Sequence, residues 1–389
     1  MNLDKKMIKN NIPRIRFNNF KAFWVEKKIA DIVKISAGGD VDKVKLKESG
    51  QYPVIANALT NKGIVGFYDD YKVKAPAVTV TGRGDVGYAV ARHENFTPVV
   101  RLLTLQSENI DVDYLENQIN SMRILNESTG VPQLTAPQLG NYKVYHPEID
   151  EQAAIGSLFR TLDDLLASYK DNLTNYQSLK ATMLSKMFPK AGQTFPEIRL
   201  DGFERKWEKK KLIDLVSPVS RKVKKPSDPY YRLSIRSHAK GTFKQFVDDP
   251  KKIAMDNLFE VKESDLVVNI TFAWEHAIAV ASKEDDGLLV SHRFPTFVID
   301  KSDKNFISIY IKREEFRQKL DLLSPGGAGR NRVLNVKNFI KIQMIVPELE
   351  EQQAIGAYFS NLDNLINSHQ EKITQLETLK KKLLQDMFI

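Results

Sequence analysis

The chain contains itself twice, in alternation. Residues 151–188, EQAAIGSLFRTLDDLLASYKDNLTNYQSLKATMLSKMF, and 351–388, EQQAIGAYFSNLDNLINSHQEKITQLETLKKKLLQDMF, align without a gap at an offset of 200, with 16 of 38 positions identical. A second echo precedes each: from Pro13 and from Pro196, Ile15, Arg16, Phe20, Trp24, Lys27, Lys28, Asp31 and Val33 recur at an offset of 183. Between these flanks the halves hardly resemble each other. The order is therefore unit, helix, unit, helix, which is one scaffold presenting two different surfaces.

The repeated segments carry the apolar period of long helices. Ile155, Leu158 or Phe159, Leu162, Leu166, Tyr169, Leu173 and Tyr176 fall at three- and four-residue steps, and Leu179, Met183 and Met187 continue the stripe. The second copy runs through Ile355, Phe359, Leu362, Ile366, His369, Ile373, Leu376, Leu379, Leu383 and Met387. Pro147 and Pro347 precede the helices and Pro189 closes the first, where helix boundaries are expected. Each segment would be roughly 50–55 Å long at 1.5 Å per residue. A stripe this narrow needs a partner, and the repeat supplies one: an antiparallel coiled-coil pair related by a pseudo-two-fold. The alternative is that each helix packs only on its own unit. His369 sits at the seam position of Tyr169 and reads as a packing residue.

Composition bounds the rest. Of 389 residues, 42% are hydrophobic and 28% charged, which fits a globular protein of two to three domains. Lys5, Lys6 and Lys9 are followed by no apolar run, so neither a signal peptide nor a membrane span is expected, and a cytoplasmic location is the default. With no cysteine, disulfides, thiolate zinc sites and cysteine nucleophiles are excluded. A net charge of +9 is compatible with a polyanionic partner without requiring one.

Both units read as small α+β domains dominated by sheet. Residues 77–81 and 87–91 in the first, and 265–270 and 276–280 in the second, pattern as strand pairs; 142–145 and 340–346 lead into the helices, and 113–124 and 313–323 pattern as short helices. The division expected is 1–147 and 193–346 for the globular domains, with helices at 148–192 and 347–389.

Three strings invite chemistry. Gly82-Arg83-Gly84-Asp85-Val86-Gly87 matches G-x-G-x-x-G, but a dinucleotide site needs a helix next, and Tyr88-Ala89-Val90-Ala91 is a strand pattern; a hairpin turn bearing an exposed arginine is the better reading. Asp228-Pro229-Tyr230-Tyr231 resembles the [DN]-P-P-[YF] loop of amino-methyltransferases without its second proline or any cofactor loop. Ser324-Pro325-Gly326-Gly327-Ala328-Gly329-Arg330-Asn331-Arg332, opposite 127–133 in the first unit, is either a phosphate- or base-contacting loop or a solvated surface. No phosphate loop and no H-x-x-x-H spacing occur, so no catalytic residue, metal site or cofactor site is expected.

With these residues in view, the chain resembles the specificity subunit of type I restriction–modification systems. The resemblance is carried by P-x-I-R…F…W at Pro13 and Pro196, by P-E-[IL]-[DE]-E-Q…I-G…L-D at Pro147 and Pro347, and by Ala273-Trp274-Glu275…Phe294-Pro295-Thr296-Phe297. It implies that each domain recognises one half of a bipartite double-stranded DNA target. The helix pair would set the spacer and dock two modification (methyltransferase) subunits. Those would use S-adenosylmethionine to methylate adenine N6, and motor–nuclease restriction subunits would bring ATP and Mg; this chain would hold no cofactor. Domains of unequal length, 13–147 against 196–347, imply an asymmetric target. A methyltransferase in its own right and a purely protein-binding scaffold are the alternatives.

On this reading, the candidate base-reading residues are Arg83, Arg92, His93, Thr129 and Gln133 in the first domain. In the second they are Arg232, Arg236, His238, His276, Arg293, Arg330, Asn331 and Arg332, since arginine can bond guanine and asparagine or glutamine adenine through two hydrogen bonds. Arg221, Lys222, Lys224 and Lys225 are candidate phosphate contacts. Glu151, Gln152, Asp163, Asp164, Glu351, Gln352, Asp363 and Asn364 are the candidate subunit contacts, with the Glu-Gln pairs also fixing the helix starts.

Overall fold

The computed structural model describes residues 11–122, 124, 133–324 and 332–389. Thr129, Arg330 and Asn331 lie outside the described residues. Contacts divide the chain into two compact units, Met1–Leu173 with His369–Ile389, and Thr174–Ser368.

The first unit runs through β1 (Val25–Lys28), α1 (Ile29–Ile32), β2 (Lys34–Ala37), β3 (Tyr52–Ile55), β4 (Ile64–Tyr68) and β5 (Ala77–Val80). It continues through β6 (Ala89–Arg92), β7 (Thr97–Pro98), β8 (Leu103–Gln106), α2 (Val112–Ser121), α3 (Ala136–Gly140) and β9 (Lys143–His146) into the long helix α4 (Ile149–Lys186). The sheets are β2-β8-β5-β6, β4-β3-β7 and the ribbon β1-β9. All of β5 is buried. Its alternation explains why: Val78 and Val80 enter a core with Leu103, Leu105 and Ile119, while Ala77, on the other face, packs with Ile55 and Phe96. α2 starts on an N-cap, the Asp111 carboxylate accepting from the Tyr114 amide at 2.8 Å.

The second unit begins with β10 (Glu208–Lys211), β11 (Ser217–Val219), β12 (Lys222–Lys224), β13 (Tyr230–Ile235), β14 (Thr242–Val247), β15 (Asn257–Glu260) and β16 (Asp265–Val268). β17 (Ile278–Val280), β18 (Leu289–Val290), β19 (Thr296–Val298), α5 (Lys304–Tyr310), α6 (Glu314–Leu322), α7 (Val336–Phe339) and β20 (Gln343–Val346) lead into α8 (Leu349–Asp386). Its sheets, β11-β19-β16-β17, β12-β15-β18-β13-β14 and the ribbon β10-β20, repeat the plan of the first unit with a larger second sheet. The fold is thus α+β with an internal repeat, as read from the sequence.

Each helix packs on its own unit and also against the end of the other helix. In the first unit Ile155, Phe159 and Leu162 join Trp24 and Tyr114, together with Met387 and Phe388 from the end of α8. Antiparallel pairing follows from the contacts: Phe159 meets Phe388 at 5.7 Å, Lys170 meets Glu377 at 2.8 Å, and Asp163 pairs with Lys380. Tyr169 lies edge-on to His369 at 5.2 Å, the packing role expected of that histidine. In the second unit Phe188, just past α4, meets Phe359 at 6.4 Å, and Lys180 pairs with Asp363. The two modes of helix packing weighed from the sequence therefore coexist.

Glycine is required where α4 and α8 cross the N-caps of α2 and α5. A Cβ on Gly156 would stand 2.2 Å from Asp111 Oδ1, and one on Gly356 would stand 2.3 Å from Asp303 Oδ1.

Among the described residues no helix is long and apolar enough to cross a membrane, and no group of three or more His, Asp or Glu side chains is placed to hold a metal ion.

Candidate nucleic-acid interface

In the first unit the loop between β5 and β6 is built by its own hydrogen bonds. The Gly82 amide donates to Asn57 Oδ1 at 2.8 Å, the Tyr88 amide donates to Thr81 Oγ1 at 3.0 Å, and Gly84 and Gly87 take positive φ. The string leads into a strand, as read from its sequence. The Leu134 amide donates to the Gly82 carbonyl at 2.9 Å, and Arg83 forms a backbone bridge with Gln133. Two candidates far apart in sequence are thereby side by side, both exposed. Tyr88, 43% exposed, closes the same loop.

Arg92 is corrected. Its Nε donates to Thr79 Oγ1 at 2.9 Å and its guanidinium to the Lys62 carbonyl at 2.7 Å, so it braces its own fold. Burial holds it well below the usual guanidinium range, at about 10, with Glu116 and Tyr88 pulling the other way. His93 is exposed but engaged: its Nε2 lies 2.8 Å from Asp113, which also meets Arg160 at 3.8 Å.

The second unit repeats the loop-to-segment bond, with the Leu334 amide on the Ile270 carbonyl at 2.8 Å. The place of the 83–88 loop is therefore taken by 271–276, which sequence reading did not nominate apart from His276. Phe272 there is 46% exposed. Arg232, Gln245, Asn269, Phe272, Ser291 and Arg293 line a cleft of about 270 Å³. Arg232 donates through two nitrogens to Gln245 Oε1, at 3.0 and 2.8 Å, and Arg293 is exposed at the rim. This set of fork donors, amides and an aromatic face is what base-edge reading uses.

Several nominees in this unit serve the fold. His276 is buried and left-handed, its Nε2 2.6 Å from the Ile311 carbonyl, and burial lowers its pKa; it ties the 271–276 turn to α5. Arg221 grips the buried Asp265, and Lys225 donates to the Ile253 carbonyl at 2.6 Å, so neither is a free phosphate contact. Arg332 stacks on Trp274 at 5.1 Å and bonds the Ser324 carbonyl at 2.8 Å and the Asp321 carboxylate. Arg236 covers Phe243 at 5.0 Å and donates to the Thr242 carbonyl. His238, Lys222 and Lys224 are exposed, the two lysines on one face of β12.

The Glu-Gln pairs at the helix starts, candidate subunit contacts, are buried. Glu151 is 1% exposed and receives Arg16 at 2.6 and 2.7 Å and the Trp24 indole at 3.2 Å. Glu351 is held alike by Arg199 and Trp207. Gln152 and Gln352 donate back to the Pro147 and Pro347 carbonyls at 2.8 and 2.9 Å. These four side chains do fix the helix starts, but they face inward. Asp163 and Asp363 are taken up by Lys380 and Lys180, while Asp164 and Asn364 remain exposed beside Leu165 and Leu365, each 43% exposed.

Comparison with known proteins matches this doubled plan. The family model described as the type I restriction modification DNA specificity domain matches residues 22–176 and again 204–378. The specificity subunit of the type I restriction enzyme MjaVIII from Methanocaldococcus jannaschii is 23% identical over 273 residues, 66% of this chain and 64% of that protein. A putative type I specificity subunit from Mycoplasma pneumoniae is 27% identical over 143 residues, 36% of this chain and 39% of the relative. The chain thus aligns with less than two thirds of the length of either. Among solved structures, the type I restriction–modification S subunit from M. genitalium superposes with a TM-score of 0.63 at 14% identity, over 97% of this chain and 99% of that one.

Proposed function

Because the chain belongs to the type I restriction modification DNA specificity family, whose domain it carries twice, we propose that each of its two units reads one half of a bipartite DNA target. The observation that carries this reading is the shared loop position. Leu134 on Gly82 and Leu334 on Ile270 hold a loop at equivalent places of two matching frames, and the loops carry different chemistry. One presents Arg83, Gln133 and Tyr88; the other presents Phe272 above Arg232 and Arg293. Different readers imply different half-sites, so the target is asymmetric.

The chain performs no group transfer itself in this reading. Two methyltransferase subunits dock on the duplicated helix faces, around Leu165 with Asp164 and Leu365 with Asn364. They bring S-adenosylmethionine for adenine N6 methylation, and motor–nuclease subunits bring ATP and Mg. The 38-residue lengths of α4 and α8 set the spacer between half-sites.

The test is methylome sequencing of a host that carries the chain with its methyltransferase partner. A single bipartite, asymmetric motif is expected. Exchanging residues 82–88 and 133 for those of a relative should change one half of the motif and leave the other intact. A change in both halves, or a methyl-transfer activity in the isolated chain, overturns the reading.

A further inference from the structure

The second unit carries a groove of about 590 Å³ that plays no part in the reading above. α6 forms one wall, the ribbon β10-β20 the other, and the turn after α4 closes one end. Its floor is apolar, made by Pro189, Tyr310, Leu323 and Ile345. At the rim Leu322 is 81% exposed. Five cations line it, Lys190, Lys209, Arg313, Lys319 and Lys341, against one carboxylate, Glu315. Three of the five are engaged within the fold: Arg313 stacks on Phe188 at 4.6 Å and meets Glu315 at 3.1 Å, Lys319 donates to the Gln343 carbonyl at 2.6 Å, and Lys190 meets Glu197 at 3.5 Å. Lys209 and Lys341 are exposed.

The duplicated frame allows this surface to be compared with its counterpart in the first unit. At the ribbon positions that correspond to Lys209, Gln343 and Ile345, the first unit has Glu26, Lys143 and Tyr145. There Lys143 pairs with Glu26 at 2.8 Å, so each offsets the other's charge. The second unit has Lys209 in place of the acid and Gln343 in place of its lysine partner, with Ile345 in place of Tyr145. The stretch that carries the other wall also differs in length: Gln133 lies 22 positions beyond the N-cap Asp111, whereas Val333 lies 30 beyond Asp303.

We propose that this groove docks an acidic amphipathic segment of a protein subunit that assembles with the chain, apolar side chains on the floor and carboxylates on Lys209 and Lys341. Charge complementarity selects that occupant. Duplex DNA would set phosphates against Glu315 and leave Leu322 and the apolar floor unmatched, since DNA is held by polar and cationic donors. A second copy of this chain, at net charge +9, is a poor source of acidic surface. That a subunit assembles with the chain rests on the function proposed above; the chemistry of the groove does not.

The experiment places the photo-cross-linking residue p-benzoylphenylalanine at position 322 of the full chain, expressed with its partner subunits. The expected product joins position 322 to a partner segment in which Asp and Glu outnumber Lys and Arg. The double variant Lys209→Glu/Lys341→Glu should lower that yield about tenfold, as charge reversal at a complementary rim does, with sequence-specific DNA binding kept within about twofold. A cross-link to DNA, to a second copy or to a basic segment overturns the proposal, as does an unchanged yield in the double variant. No cross-link in a complex that assembles and methylates also overturns it, whereas failure of any complex to assemble counts against the functional reading instead.

Discussion

Arg16 closes on Glu151 through two nitrogens, at 2.6 and 2.7 Å, across 135 residues of chain. The Trp24 indole adds a third bond to the same carboxylate. The pair fastens the segment that opens the unit to the helix that leaves it, and both partners are nearly out of water, 11% and 2% exposed.

Removing one partner leaves a buried charge uncompensated. Arg16→Ala is expected to cost about 3–5 kcal/mol, and Arg16→Lys to recover little because an ammonium cannot form the fork. The carboxylate raises the Arg16 pKa above its ordinary value, so the guanidinium stays charged and the loss is the same at pH 6 and pH 8. Denaturant titration of the full chain at both pH values checks this. A cost under 1 kcal/mol would mean the clasp is dispensable.

Gly156→Ala puts a methyl 2.2 Å from Asp111 Oδ1. Alanine favours a helix by about 1 kcal/mol, but overpacking of this kind costs about 1–3 kcal/mol, so net destabilisation is expected. Adding Asp111→Ala should relieve part of it, giving a double variant less damaged than the sum of the single ones. Thermal unfolding of the three variants measures the coupling.

Burial raises the Glu116 carboxyl to about 7, with Asp163 adding to the rise and Lys380 opposing it. The folded state therefore holds this proton more tightly than the unfolded chain. The contribution is complete below the ordinary carboxylate range and is lost as pH rises through about 7. Glu116→Gln should stabilise the protein at pH 8 by on the order of 2 kcal/mol and do little at pH 4.5. Unfolding midpoints at the two pH values test the sign; equal shifts at both would refute it.

Arg293→Ala and Arg232→Ala should each cost about 1–3 kcal/mol against the cognate duplex and relax one half-site only. Lys222→Ala and Lys224→Ala should weaken all sequences alike and lower the salt slope by about 1 each. Binding of cognate and scrambled duplexes across a salt series separates the two behaviours. Equal losses on both duplexes for Arg293→Ala would remove it from the reading surface.

The frame was legible because duplication writes it twice: Pro147 and Pro347, Trp24 and Trp207, and two stripes of apolar residues are visible without coordinates. The candidate surfaces were legible only where the chain is locally exposed, as at Arg83. His276 and Arg221 carry the right chemistry, but each finds an internal partner, Ile311 and Asp265, that no local pattern announces. Phe272 was missed for the converse reason. Its place is defined by a bond from Leu334 to Ile270, 64 residues away, and an isolated aromatic in a strand-rich stretch reads as core.

Tyr169 and His369 share one further property: each faces the residue at its own repeat position. Elsewhere along the seam a residue meets a non-equivalent neighbour, as Asp163 meets Lys380. At this self-facing site, two identical halves would set tyrosine against tyrosine or histidine against histidine, and any single inherited change would strike both sides of the contact together. The Tyr–His edge contact exists only because the copies have drifted apart. Restoring sameness here, through His369→Tyr, would test whether the seam tolerates symmetry that its sequence has abandoned.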